Sequence, residues 1–199
     1  MEKHFVMDLE TLGTSGPNFQ VIQYSLLEFN IENGDSISEY NWYVDIYKNN
    51  DIVSNADTLS FWFEHIDVLK NIFNSCRPDH FGKPEKEILQ KIFQILHCDK
   101  MNGIGDDSFL WGNGILFDNR ILYDKCFKNG IEYPIFFRND RDIRTIFRLA
   151  MEKLGKSSKE INEYISQKYG TGITHNAIDD CRHEARVISF CRNCLLEKS

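Results

Sequence analysis

The residues best suited to chemistry in this chain are carboxylates in unexpected places. In "HFVMDLETLG", residues 4–13, Asp8 and Glu10 follow directly on the apolar run Phe5, Val6, Met7. Buried strands rarely carry acids, because an unpaired carboxylate costs several kcal/mol to desolvate. The two-residue period of a strand points Asp8 and Glu10 to one side of its tip. Asp118 stands just past a second apolar run, and Asp180 lies in the opening turns of a long helical stretch, with His175 five residues ahead of it. Four carboxylates from three segments, brought to one end of a sheet, repel one another prohibitively unless divalent cations fill the space between them. An all-oxygen donor set favours Mg²⁺ or Mn²⁺ over zinc. Two such ions roughly 3.5–4 Å apart make an in-line phosphoryl-transfer site, one activating a water and the other steadying the leaving oxygen. Taken singly, each residue has a plainer reading: a solvated strand end for Asp8 and Glu10, a helix cap for Asp118, capping or packing for His175.

The elements that must position these groups follow from apolar periodicity. Residues 4–9, 19–31 and 38–46 read as strands, with "NGD" at 33–35 a hairpin-type turn, so three antiparallel strands open the fold. Residues 57–74 recur at helical spacing, capped by Asp57 or Thr58, and 82–97 form a second amphipathic helix with Pro84 near its first turn. "SFLWG" (108–112) is a short buried strand, and a helix over 115–130 starts at its tip and stops at Gly130. One more short strand is expected before helices over 141–155, 157–170 and 175–198. The class is α/β, a mixed sheet whose first three strands form a meander, in one domain spanning 1–199.

Composition narrows the function. The formal net charge of −7 over 199 residues argues against a protein that coats long nucleic acid by charge, though not against an enzyme gripping a strand end. No basic stretch with an apolar core precedes the first strand, and no apolar run is long enough to span a bilayer, so a cytoplasmic protein without a membrane partner is expected. Cys76, Cys98, Cys126, Cys181, Cys191 and Cys194 are expected as free thiols. Cys191 and Cys194 form a CxxC, but no second pair accompanies it, and one helical face explains the spacing more simply than zinc.

Three segments together resemble the DEDD superfamily of 3′–5′ exonucleases. "FVMDLETLG" is similar to its first motif, "WGNGILFDNRIL" to its second, and "HNAIDDCRHEA" to its third. The histidine places the chain with the DEDDh subgroup, and "RNDRDIRT" and "DTLSFWF" resemble a phage-type branch of short stand-alone exonucleases. The resemblance implies an RNase H-like fold with a five-stranded mixed sheet. It implies that Asp8 bridges two metals, that Glu10 and Asp180 complete the nucleophile-side metal, that Asp118 holds the other, and that His175 is the general base. Neighbouring carboxylates are expected to raise the His175 pKa somewhat above 6.5. Asp179 and His183 are the rivals of Asp180 and His175; the family spacing selects the latter pair, leaving Asp179 toward solvent or a supporting partner and His183 on the helix surface.

For substrate, the resemblance places Thr11 at a 3′-hydroxyl and Leu12 against a terminal base. Phe61 and Trp62 are candidates for base stacking, with core packing an equal reading for Trp62. Asn113 belongs to the second motif, where Gly112-Asn113-Gly114 departs from the proofreading pattern. Arg138, Arg141, Arg144 and Arg148 form the densest basic stretch; at helical spacing Arg141, Arg144 and Arg148 share a face that could meet phosphates or pair with the chain's surplus acids, and the phage-type resemblance favours phosphate or active-site support for Arg141 and Arg144. The expected activity is metal-dependent 3′–5′ hydrolysis of single-stranded DNA or RNA 3′ ends to nucleoside 5′-monophosphates, with a homodimer left open. The alternatives are a nuclease for short or cyclic oligonucleotides, and a silent nucleic-acid-binding module of the same fold. The intact set of five catalytic groups argues against the latter.

Overall fold

The computed structural model describes residues 2–14, 19–48, 52–97, 107–170, 172 and 174–197, so Cys98 lies outside the described residues. Strands β1 (Lys3–Thr11), β2 (Val21–Phe29) and β3 (Ser36–Val44) form the expected antiparallel meander. β1 is central because its other edge pairs in parallel with β5 (Ser108–Gly112), which in turn pairs in parallel with β6 (Asp140–Asp142). On the far edge, β4 (Gly82–Lys83) runs parallel to β3. The order is β4-β3-β2-β1-β5-β6, six strands where five were expected. The extra strand is β4, which occupies the beginning of the helix anticipated over 82–97.

That helix, α3 (Glu85–Leu96), starts after Pro84 at its N-cap. The helix expected over 57–74 is two helices, α1 (Ala56–Glu64) and α2 (Ile66–Ser75), separated at His65 (φ −118°, ψ 34°). Asn55 caps α1 rather than Asp57 or Thr58, its side-chain oxygen accepting the Thr58 N–H at 2.9 Å. The remaining helices are α4 (Asp118–Lys128), α5 (Ile143–Leu154), α6 (Ser158–Tyr169) and α7 (Ala177–Leu196). At the 33–35 turn, Gly34 has φ +77°, and a Cβ there would come 2.8 Å from the Arg186 Cα, so glycine suits both the backbone and the space.

The alternation of β1 divides the interior. Phe5, Met7 and Leu9 join one core with Trp62, Ile72, Ile88 and Leu122, beneath α1 to α4. Val6 joins a second core with Trp111, Ile143, Ile161, Ala185 and Ile188, beneath α5 to α7. Asp8 and Glu10 continue the row of Val6, so they emerge on the face that α7 covers. The Cys181 thiol lies 3.7 Å from the carbonyl oxygens of Val6 and Ser25, which sets the start of α7 directly over β1 and β2. Cys191 is buried and Cys194 half-buried on the same helix, both as free thiols. Among the described residues, no helix is long and apolar enough to cross a membrane.

Candidate active site

Sheet and helix ends meet at the tip of β1. Asp8 and Glu10 project from it, and Asp180, in the first turn of α7, reaches down to them. Their carboxylate oxygens lie within 4.8 Å of one another. Asp118 opens α4 and is 2% exposed, with one oxygen accepting the main-chain N–H of Asn113 at 3.0 Å. Its approach depends on Gly112: a Cβ there would come 2.1 Å from the Asn119 side-chain oxygen and 3.2 Å from the Asp118 Cβ. Only glycine lets the end of β5 sit this close to the start of α4.

The cluster is electrostatically strained without counter-ions. Burial pushes the Asp8 carboxyl well above its usual range, and repulsion by Glu184, Asp118, Glu10 and Asp180 adds to it in that order. Burial, then Asp180 and Asp118, push Glu10 up to about 9. Asp118 rises to about 7 through burial, opposed by N–H donors and Arg144. Asp180 rises to about 6 through burial, opposed by a main-chain hydrogen bond from His175. At an effective dielectric near 20, two carboxylates at this spacing repel by about 3 kcal/mol. The donors are all carboxylate oxygens no more than 4.8 Å apart, within the span that one cation can bridge, so a hard divalent cation fits the cluster.

A cavity of about 390 Å³ opens on this cluster, walled by Asp8, Asn113, Arg144, His175, Asp180 and Glu184. His175 has φ +62°, in the left-handed region, where non-glycine backbone carries strain. Its ring lies 4.3 Å from that of His65 and meets the edge of Phe61 at 4.8 Å. Burial and the neighbouring His65 lower the His175 pKa, opposite to the rise expected from the carboxylates. His183 is on the cavity wall, near the Asn162 side chain at 3.4 Å, rather than on an open helix surface. Asp179 pairs with Arg182, which also binds Glu39.

The other residues read from the sequence divide. A second cavity, of about 370 Å³, is lined by Leu9, Glu10, Thr11, Phe61, Trp62 and Phe117, among others. Phe61 is 36% exposed there, but Trp62 is 1% exposed and donates its indole N–H to the Thr11 carbonyl at 2.9 Å. Trp62 therefore packs and props the β1 tip; an enclosed ring has no open face on which a base can stack. The Thr11 hydroxyl donates to the Gly13 carbonyl at 2.8 Å, and Leu12 is buried in the first core instead of standing as a wedge. Asn113 accepts from the Arg144 guanidinium at 3.2 Å, which holds Arg144 at the acidic cavity. Arg141 lies in β6, ahead of the helix that begins at Ile143, so it shares no helical face with Arg144. It stacks over Phe109, 4.5 Å from the ring centre, and takes no part in the acidic cavity wall. Arg138 lies over Phe136 and Phe137, and Arg148 pairs with Glu152.

Two residues escaped sequence reasoning. Glu184 is 6% exposed on the cavity wall; its only signal was its place four residues after Asp180 on one helical face. His65 carried no signal, since nothing in the sequence marks the break between α1 and α2.

Residues 3–192 match the model of the Rv2179c-like domain, described as a 3′–5′ exoribonuclease domain. Exonuclease I from Methylocaldum szegediense superposes with a TM-score of 0.71 at 15% identity, over 97% of this chain and 41% of that one. E. coli exonuclease I, solved with a dT13 oligonucleotide, gives 0.68 at 15% identity, over 96% and 41%. The nuclease domain of 3′hExo, a DEDDh family member solved with rAMP, gives 0.60 at 16% identity, over 98% and 95%. The chain thus spans about two fifths of the exonuclease I chains and nearly all of the 3′hExo nuclease domain. The shared feature is the RNase H-like fold. No curated protein sequence matches.

Proposed function

We propose, for a chain that belongs to the Rv2179c-like 3′–5′ exoribonuclease domain family, the stepwise removal of nucleoside 5′-monophosphates from the 3′ end of single-stranded RNA. The observation that carries this reading is the convergence of Asp8, Glu10 and Asp180 within 4.8 Å, beside His175 in one cavity. In this reading Asp8, Glu10 and Asp180 hold one Mg²⁺ or Mn²⁺, and Asp8 with Asp118 holds a second. When bound, such ions acidify a water and offset the charge that builds on the leaving oxygen. His175 takes the proton of the attacking water on a ring nitrogen. Its lowered pKa keeps the imidazole neutral, and so able to accept, at pH 7. His65 and Phe61 confine that ring. Phe61 offers an open aromatic face for the terminal base in the second cavity, and Arg144 meets a backbone phosphate from the wall of the first.

The test is digestion of end-labelled single-stranded RNA and DNA with Mg²⁺, Mn²⁺ or EDTA. The expected result is a ladder shortening from the 3′ end, abolished by EDTA and faster on RNA. Equal digestion of 3′-phosphorylated ends or circular strands overturns the exonuclease reading in favour of internal cleavage. Binding of the strand with no cleavage in any metal favours a silent binding module.

A further inference from the structure

We propose that Glu184 is a fifth acidic ligand of this metal centre, a residue outside the Asp-Glu-Asp-Asp set read from the motifs. The proposal rests on the metal-dependent reading above. Glu184 lies one helical turn beyond Asp180, so α7 presents both carboxylates to the tip of β1. The side chain is 94% buried by contact with its surroundings (6% exposed) and lines the same cavity as Asp8 and Asp180. The Asn113 side chain hydrogen-bonds the carboxylate, yet one oxygen, Oε2, is buried with no hydrogen-bond partner among the described residues. A buried carboxylate oxygen left bare on a wall shared with Asp8 and Asp180 lacks a stabilising partner among the described residues, and a cation supplies one.

Charge agrees in direction. Among the described residues on the cavity wall, Asp8, Asp180 and Glu184 are three carboxylates against one arginine or lysine, Arg144, an excess of negative charge that a cation offsets.

The experiment titrates Mn²⁺ into wild type, Glu184→Gln and Asp8→Asn by calorimetry, with free Mn²⁺ counted by electron paramagnetic resonance. Wild type is expected to take two ions. Glu184→Gln, nearly isosteric, should keep one ion near wild-type affinity and bind the other at least ten-fold more weakly; Asp8→Asn should weaken both. Wild-type affinity for both ions in Glu184→Gln overturns the proposal. Should Glu184→Gln show no cooperative melt, Glu184→Asp is titrated instead: it keeps the charge but withdraws it by one methylene, and the same selective loss is expected. Because the titration reads binding without turnover, failure of the exonuclease reading shows separately, as a wild type that holds two ions and cleaves nothing. A wild type that takes up no Mn²⁺ overturns the ligand and the metal reading together.

Discussion

Glu10 gives the sharpest quantitative test of the acidic cluster. Its carboxyl is pushed from an ordinary 4.5 up to about 9, chiefly by burial and then by Asp180 and Asp118. A group whose folded pKa is raised binds more protons folded than unfolded, so its stabilising effect is complete below the unfolded value and lost as pH rises through the folded one. The window therefore runs from pH 4.5 to about 9. Each pH unit within it costs about 1.4 kcal/mol, so metal-free protein loses on the order of 3 kcal/mol at Glu10 between pH 4.5 and 7. Glu10→Gln cannot ionise and escapes this loss. For a chain of this length, about 2–4 °C of melting temperature accompanies each kcal/mol. In chelated buffer the melting temperature of Glu10→Gln should therefore gain roughly 6–12 °C on wild type as pH rises from 4.5 to 7. Millimolar Mg²⁺ should reverse the trend, because the ion binds the ionised carboxylate and stabilises wild type by mass action. A difference between the two proteins that is flat with pH, or unmoved by Mg²⁺, refutes the reasoning.

Other expected outcomes follow from the same geometry. His175→Ala should lower the rate roughly 10²–10⁴-fold while leaving Mn²⁺ binding intact, and should remove from the pH–rate profile a rising limb whose midpoint lies below 6.5; an unchanged limb would assign the proton to another group. Phe61→Ala should weaken strand binding by about 1–3 kcal/mol with little change in melting temperature, whereas Trp62→Ala should cost about 3–5 kcal/mol of stability. The opposite pattern in a paired binding and melting assay sinks the division of roles drawn between these rings. Gly112→Ala should displace the start of α4, since its Cβ meets the Asn119 side-chain oxygen at 2.1 Å. The expected readout is loss of affinity for one Mn²⁺ ion, and full retention of both would show that Asp118 does not need this contact.

Parts of this fold are legible because they carry strong periodicity. The first three strands are long and dense in apolar residues, and the acids at the end of β1 stand out against their apolar lead-in. The parts read poorly or not at all lack such signals. β4 has two residues, and β6, the short strand expected ahead of the later helices, is the charged triplet Asp140-Arg141-Asp142, with no apolar alternation to mark its bounds. Each is held by a neighbouring strand rather than by its own composition. Arg141 was read as helical because its spacing to Arg144 and Arg148 fits a helix, but Asp142 caps α5 and leaves Arg141 in the strand. Glu184 has the local signature of one more charge on an amphipathic helix. Its burial comes from α7 lying over β1, a contact between segments about 175 residues apart, and no local window contains it.

That crossing of α7 over β1 also sets a clock on the site. A chain made from its N-terminus displays Asp8 and Glu10 first and Asp118 near the middle of synthesis, while Asp180 and His175 follow only with the final helix. The sheet can pair early, yet the cluster stays short of an acid and of the proposed base until α7 clears the ribosome and docks.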